Sequence, residues 1–176
     1  SLLSSAGLSG HESPVADLIR AQWTPLADEI HLSRLGSIHA LRRGDAATPR
    51  PSLLLSAHMD AVGMMVTDIE DGFLRLTEIG GIDPRLLPGQ PVTAHAPQPL
   101  QGVVAALPSA LMPDDAKKDA PGWDHLLVDV GLTPRRVAQL VRVGDLVSFA
   151  NEPIDLGEGI VSGHSLDNRA SVAALT

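Results

Sequence analysis

Between Met64 and Phe149 glycine and proline cut the chain into pieces too short for long helices. Met64 to Ile69 and Phe73 to Ile79 flank Asp71-Gly72, a dipeptide that tolerates the positive φ angles of a tight hairpin. A Gly- and Pro-rich stretch follows, Gly80-Gly81-Ile82-Asp83-Pro84 and then Leu87-Pro88-Gly89-Gln90. Strand-sized runs recur at Pro91 to Ala94, Gly102 to Leu107, Leu126 to Val130 and Asp145 to Phe149. One helical pattern interrupts them, Thr133-Pro134 through Val141, with Thr133 as its cap. Met112 to Asp124, where Lys117-Lys118 lie among Asp114, Asp115 and Asp119, reads as a mobile, solvated loop. Many short strands with one helix predict a small β-barrel.

The flanks have a different character. Ser13-Pro14 opens a helix, with Ser13 at the N-cap and Val15, Leu18, Ile19 and Trp23 at helical spacing. Ile30 to Leu35 and Ile38 to Leu41 read as two short strands around Gly36-Ser37, followed by a polar loop over 43–51. Ser52 to Ala57 is a continuous apolar run, the pattern of a strand buried on both faces. After the strand-rich middle, Gly159 to Ser162 reads as another strand. Asp167-Asn168-Arg169-Ala170 then opens a helix that carries Val172, Ala173 and Leu175. That pattern stops about two turns in, without a stop signal, so the chain is expected to be an incomplete piece of its domain.

Composition excludes several classes of function. The chain has 176 residues, a net charge of −8 and a mean hydropathy of +0.11, enough apolar content for a packed core. The acidic balance argues against nucleic acid and against an anionic membrane surface as partners. No apolar run reaches the length of a membrane span, and no signal-peptide pattern opens the chain. A cytoplasmic location is expected. Cysteine is absent, which removes disulfides, thiolate-bound metals and thiol nucleophiles. Any metal site must be built from His, Asp and Glu.

Two places offer such ligands. His58-Met59-Asp60 follows the apolar run at 52–57. Alternate residues of an extended segment share a face, so the imidazole could bind a metal while the carboxylate two residues on fixes its tautomer. A capped turn with a satisfied histidine is the plainer reading of the same triplet. Asp167, at a strand–helix junction, reads either as a helix cap or as a carboxylate bridging two metals.

Taken in order, these segments carry a resemblance. Ser56-Ala57-His58-Met59-Asp60-Ala61-Val62-Gly63 is similar to the first metal motif of the M42 family of dinuclear metalloaminopeptidases. Asp71-Gly72-Phe73-Leu74-Arg75, Gly80-Gly81-Ile82-Asp83-Pro84-Arg85 and Leu87-Pro88-Gly89-Gln90 resemble its next segments. Leu126-Leu127-Val128-Asp129-Val130-Gly131 and Val143-Gly144-Asp145 resemble its later strands, and Ser165-Leu166-Asp167-Asn168-Arg169 its second metal motif. The resemblance covers nearly the whole chain and implies an α/β fold. An α/β/α sandwich with a mixed sheet, incomplete here, would carry an inserted small β-barrel. Residues 1–66 would be the first segment of the catalytic domain, 67–155 the inserted barrel, and 156–176 the return to the catalytic domain. His58 would bind one metal, Asp167 would bridge two, and Asp60 would serve catalysis by orienting His58. The implied cofactors are two divalent ions, zinc or cobalt foremost. The implied reaction is removal of N-terminal residues from peptide substrates by a metal-activated water. A homo-oligomer through the inserted domain is also implied.

The sequence departs from that pattern in two ways. Asn168 stands where the second motif usually has another aspartate. The family's adjacent glutamates, which supply the general base and a ligand, and its later acidic and histidine ligands have no counterpart before Thr176. The 176-residue chain is therefore expected to be inactive alone. Three alternatives accompany this reading. One is a non-catalytic scaffold or assembly module built on the β-rich middle. Another is a serine hydrolase, since Gly163-His164-Ser165-Leu166-Asp167 comes within one glycine of a nucleophile elbow. The third is a glycoside hydrolase, disfavoured because aromatics that could stack on sugar rings are only 2% of residues. His11, His31, His39, His95, His125 and His164 are read as non-ligands.

Overall fold

The computed structural model describes residues 1–108, 110 and 122–176. These form a mixed α/β structure that contains a closed six-stranded barrel. The chain divides into two compact units, Val62–Glu152 and the pair of segments Ser1–Ala61 and Pro153–Thr176.

The Val62–Glu152 unit is the barrel. Its strands are β3 (Gly63–Glu70), β4 (Phe73–Ile79), β5 (Pro91–Ala94), β6 (Leu100–Ala106), β7 (Leu126–Asp129) and β8 (Leu146–Phe149). They close in the order β3-β4-β7-β6-β5-β8, every pairing antiparallel. Alternation decides which face points inward. Met64 and Val66, Leu74 and Leu76, Val92 and Ala94, and Leu126 and Val128 are two apart on their strands and buried in one core with Val104 and Val147. The hairpin expected around Asp71-Gly72 is present, with Glu70 opposite Phe73 and positive φ at both turn residues. Gly72 is required twice over: its φ is +90°, and a Cβ there would lie 3.0 Å from the Pro134 backbone. Pro134 opens α2 (Pro134–Leu140); Thr133 stands at its N-cap position but caps through its backbone carbonyl and not its side chain, and Val137 and Val141 join the barrel core. The loop expected over Met112 to Asp124, including Lys117-Lys118, lies outside the described residues as far as 121. Trp123–His125 form a 3-10 turn leading into β7.

The other unit holds α1 (Ser13–Trp23), α3 (Leu166–Ala174) and two antiparallel ribbons. One ribbon pairs β1 (Glu29–Leu32) with β2 (Ile38–Leu41), setting His31 opposite His39. The other pairs β9 (Ile154–Gly157) with β10 (Ile160–Ser162). Val15 and Ile19 of α1 bury against Val172 of α3, with Leu2, Trp23, Ile38, Ala57 and Met59 around them. Two expectations need correction here. The cap of α1 is Glu12, whose Oε1 accepts from the Gly10 N–H at 2.6 Å, and Ser13 is already the first helical residue. Ser52 to Ala57 is not a buried strand. No described residue pairs with it, and Leu53, Leu54 and Leu55 are 84%, 88% and 62% exposed. An apolar run records a preference to leave water; it does not supply the neighbouring strands that would cover it.

Candidate metal centre

The segment that carries His58 and Asp60 is fixed by its backbone. The Ala61 N–H donates to the Gly7 carbonyl at 2.8 Å, and Leu8 and Ala61 form a parallel bridge. From the other side Arg169 donates through Nε to the Met59 carbonyl at 3.0 Å. Arg169 is fully buried and also donates to the carbonyls of Leu2 at 2.6 Å, Ser5 at 2.5 Å and Gly7 at 3.4 Å. A buried guanidinium needs this saturation with acceptors. Burial pulls its pKa down, opposed by the nearby Asp60 charge.

On this frame His58 and Asp60 share a face, and the His58 Nδ1 lies 3.0 Å from Asp60 Oδ1. The other ring nitrogen, Nε2, lies 3.0 Å from Asp167 Oδ1. Asp167 reaches it because the start of α3 is not helical: Asp167 (φ −87°, ψ 106°) and Asn168 (φ −120°, ψ 30°) are displaced from helix geometry. The second oxygen of Asp60 accepts a hydrogen bond from the Ser9 hydroxyl. The Asp60 carboxyl is held below its ordinary pKa, chiefly by that Ser9 contact and further by His58. Desolvation opposes the charged form of His58, but Asp167 and Asp60 outweigh it and raise its pKa.

With a carboxylate oxygen at each ring nitrogen, a protonated His58 can donate from both. A divalent cation could take the place of the Nε2 proton. Two ligand atoms each about 2.0–2.1 Å from a tetrahedral metal ion stand roughly 3.3–3.4 Å apart, so the 3.0 Å Nε2···Oδ1 hydrogen-bond separation would open by a few tenths of an ångström to admit one. The N/O donor set suits zinc, cobalt or manganese. Among the described residues no group of three or more His, Cys, Asp or Glu side chains is arranged to hold an ion, so the pair amounts to two ligands. The site is open, with the Asp167 side chain 93% exposed. A cavity of about 550 Å³ lies beside His58 and Asp60, walled by Trp23, Ile38 and Val172 and edged by Glu12 and Asn168.

The three sequence-derived site residues are therefore brought together by hydrogen bonds. Ser165 is not available as a nucleophile: it is fully buried at the cap of α3, where no substrate could meet its hydroxyl. His31 and His39 are exposed on their ribbon, and His95 bonds Ser148 Oγ at 2.8 Å in the barrel. Sequence reasoning gave no role to Ser9 or to Arg169. The signals available were the glycines around Ser9, at 7 and 10, and the spacing of Arg169 two residues after Asp167.

The model of the M42 glutamyl aminopeptidase family matches residues 36–176. The lysyl aminopeptidase of Pyrococcus furiosus is 34% identical over 99% of this chain and 51% of its own length. An aminopeptidase from the archaeon Desulfurococcus kamchatkensis superposes with a TM-score of 0.88 at 30% identity, covering 99% of this chain and 48% of the other. The TET1 peptidase of Pyrococcus horikoshii, described as able to assemble into a tetrahedron or a large octahedral shell, superposes with a TM-score of 0.82 at 30% identity, covering 99% of this chain and 52% of the other. The chain spans about half the length of the curated relatives it matches.

Proposed function

The chain belongs to the M42 glutamyl aminopeptidase family, and from that membership we propose that it carries part of the metal centre of an aminopeptidase acting on peptides. His58 and Asp167 are the ligands, and Asp60 is the residue that orients His58. The observation that carries this reading is the meeting of His58 Nε2 and Asp167 Oδ1 at 3.0 Å across 109 positions of sequence, with Asp60 on the other ring nitrogen.

Each residue has a definable task. Asp60 accepts the Nδ1 proton, which fixes the tautomer that leaves the Nε2 lone pair free. Asp167 contributes a carboxylate in the open, where a substrate could approach. A divalent ion held there, zinc or cobalt foremost, supplies a Lewis acid and lowers the pKa of bound water into the neutral range. Peptides with a free N-terminus are the proposed substrates. We further propose that the protein is a homo-oligomer through the barrel unit, in keeping with the assembly described for the Pyrococcus horikoshii relative.

Metal binding tests the reading directly. Zn²⁺ titrated into the protein is expected to perturb the His58 ring resonances, and His58→Ala and Asp167→Ala are expected to lose that binding. The chain alone is expected to release no N-terminal residue from an aminoacyl-coumarin substrate, and release seen in an assembly that supplies the remaining ligands is expected to stop on chelation. Zn²⁺ binding that ignores both substitutions, or turnover that survives a chelator, would refute it. Light scattering checks the oligomer; a monomer at all concentrations would remove that part.

A further inference from the structure

The Asp60 carboxylate is shared: Oδ1 faces His58 Nδ1, and Oδ2 accepts the Ser9 hydroxyl proton. We propose that Ser9 is a positioning residue of the metal centre, holding the plane of the Asp60 carboxylate so that His58 presents Nε2 toward Asp167. The proposal rests on the metal-site reading above and extends the site to the segment around residues 7–10.

The argument starts from rotation. A carboxylate bonded through one oxygen can turn about its last torsion and exchange oxygens, since that torsion is broad and two-fold. The Asp60 side chain is 35% exposed, so water competes for its free oxygen. A hydroxyl donor anchored elsewhere in the fold removes that freedom. Ser9 is itself exposed, yet its backbone is held on both sides. Leu8 before it is buried and bridges Ala61, and the Gly7 carbonyl accepts from both Ala61 and Arg169. Beyond it, the His11 N–H donates to the Leu8 carbonyl at 2.7 Å, and the Gly10 N–H donates to Glu12. Gly7 leaves no slack, since a Cβ there would lie 2.8 Å from Arg169 Nη2 and 2.8 Å from Val15 Cγ1. The result is a rigid arm that ends in one hydroxyl aimed at the carboxylate behind the ligand.

The test is a Zn²⁺ titration followed by NMR of the His58 ring nitrogens, on the wild type, S9A, S9T and H58A. The expected result is that S9A binds Zn²⁺ about tenfold more weakly, while S9T, which keeps the hydroxyl, stays within about twofold of wild type. In the metal-free protein, the Nδ1–H signal of His58 is expected to broaden in S9A and not in S9T. Thermal melting of S9A should match wild type, which separates positioning from folding. Zn²⁺ affinity of S9A equal to wild type, with binding lost in H58A, would overturn the role of Ser9 and leave the metal site standing. Binding unchanged in H58A would overturn the metal site and the proposal with it.

Discussion

Arg169→Met removes the guanidinium and keeps much of the apolar stem. The Gly7 carbonyl would retain the Ala61 N–H, but the carbonyls of Leu2, Ser5 and Met59 would each lose a charged donor. Leaving a buried acceptor unsatisfied costs about 1–2 kcal/mol at sites that water can partly reach. Three of them sum to about 3–6 kcal/mol, and part is returned because no guanidinium has to be desolvated. The expected net loss is about 2–4 kcal/mol. Trp23 gives a local reading, because its Nε1–H donates to Thr176 Oγ1 at 2.9 Å in the same unit. In a Trp123→Phe background, urea unfolding followed by Trp23 fluorescence should shift its midpoint down by about 1–2 M, for a slope near 2 kcal/mol per molar. Arg169→Lys, with the charge but not the fork, should recover less than half of the loss. A midpoint for Arg169→Met within about 0.3 M of wild type would show that these hydrogen bonds do not hold the segments together.

Other outcomes follow from the same structure. Asp60→Asn should weaken Zn²⁺ binding by about 10–100-fold, since an amide can donate to Nδ1 and favour the wrong tautomer; NMR of the His58 ring would show the switch. Gly72→Ala should destabilise the barrel by more than about 1 kcal/mol, through its positive φ and the Pro134 backbone at 3.0 Å, as read by thermal melting. Burial lowers the pKa of His95, so the unfolded chain binds the extra proton first on acidification. Stability should therefore fall as pH drops below about 6.5, until the folded-state value is passed. Urea midpoints of wild type and His95→Gln should diverge in that window, and parallel curves would exclude the effect.

The barrel was legible because its signals are local. Period-two alternation around Met64, Val66, Leu74 and Leu76, together with Asp71-Gly72, fixes a hairpin without reference to anything distant. The Ser52–Ala57 run misled because burial of a strand depends on partners elsewhere in the fold. β9 passed unnoticed because Ile154–Gly157 is a short, exposed strand whose only described partner is β10. In the site, the shared face of His58 and Asp60 follows from their spacing alone. The approach of Asp167 across 109 positions does not follow from spacing, and it entered through family resemblance. Ser9 and Arg169 lay beyond both routes, since their roles exist only once the N-terminal segment lies along Ala61 and the α3 segment is in place.

The barrel interrupts the other unit, whose segments Ser1–Ala61 and Pro153–Thr176 are separated in the chain by all of it. On the ribosome, Leu2, Ser5 and Gly7 emerge early but wait for Arg169 until the whole barrel has been made. The barrel needs nothing from either flank to complete its own hydrogen-bonded ring, so it can close first. Its entry strand β3 and exit strand β8 are antiparallel neighbours, with Met65 opposite Leu146. Once folded, therefore, it hands back two chain ends held near each other instead of the ends of a long random coil. The entropy of joining the early and late segments is then that of a short loop. Changes of sequence or length inside the barrel that leave β3 and β8 paired should pass without disturbing how His58 finds Asp167.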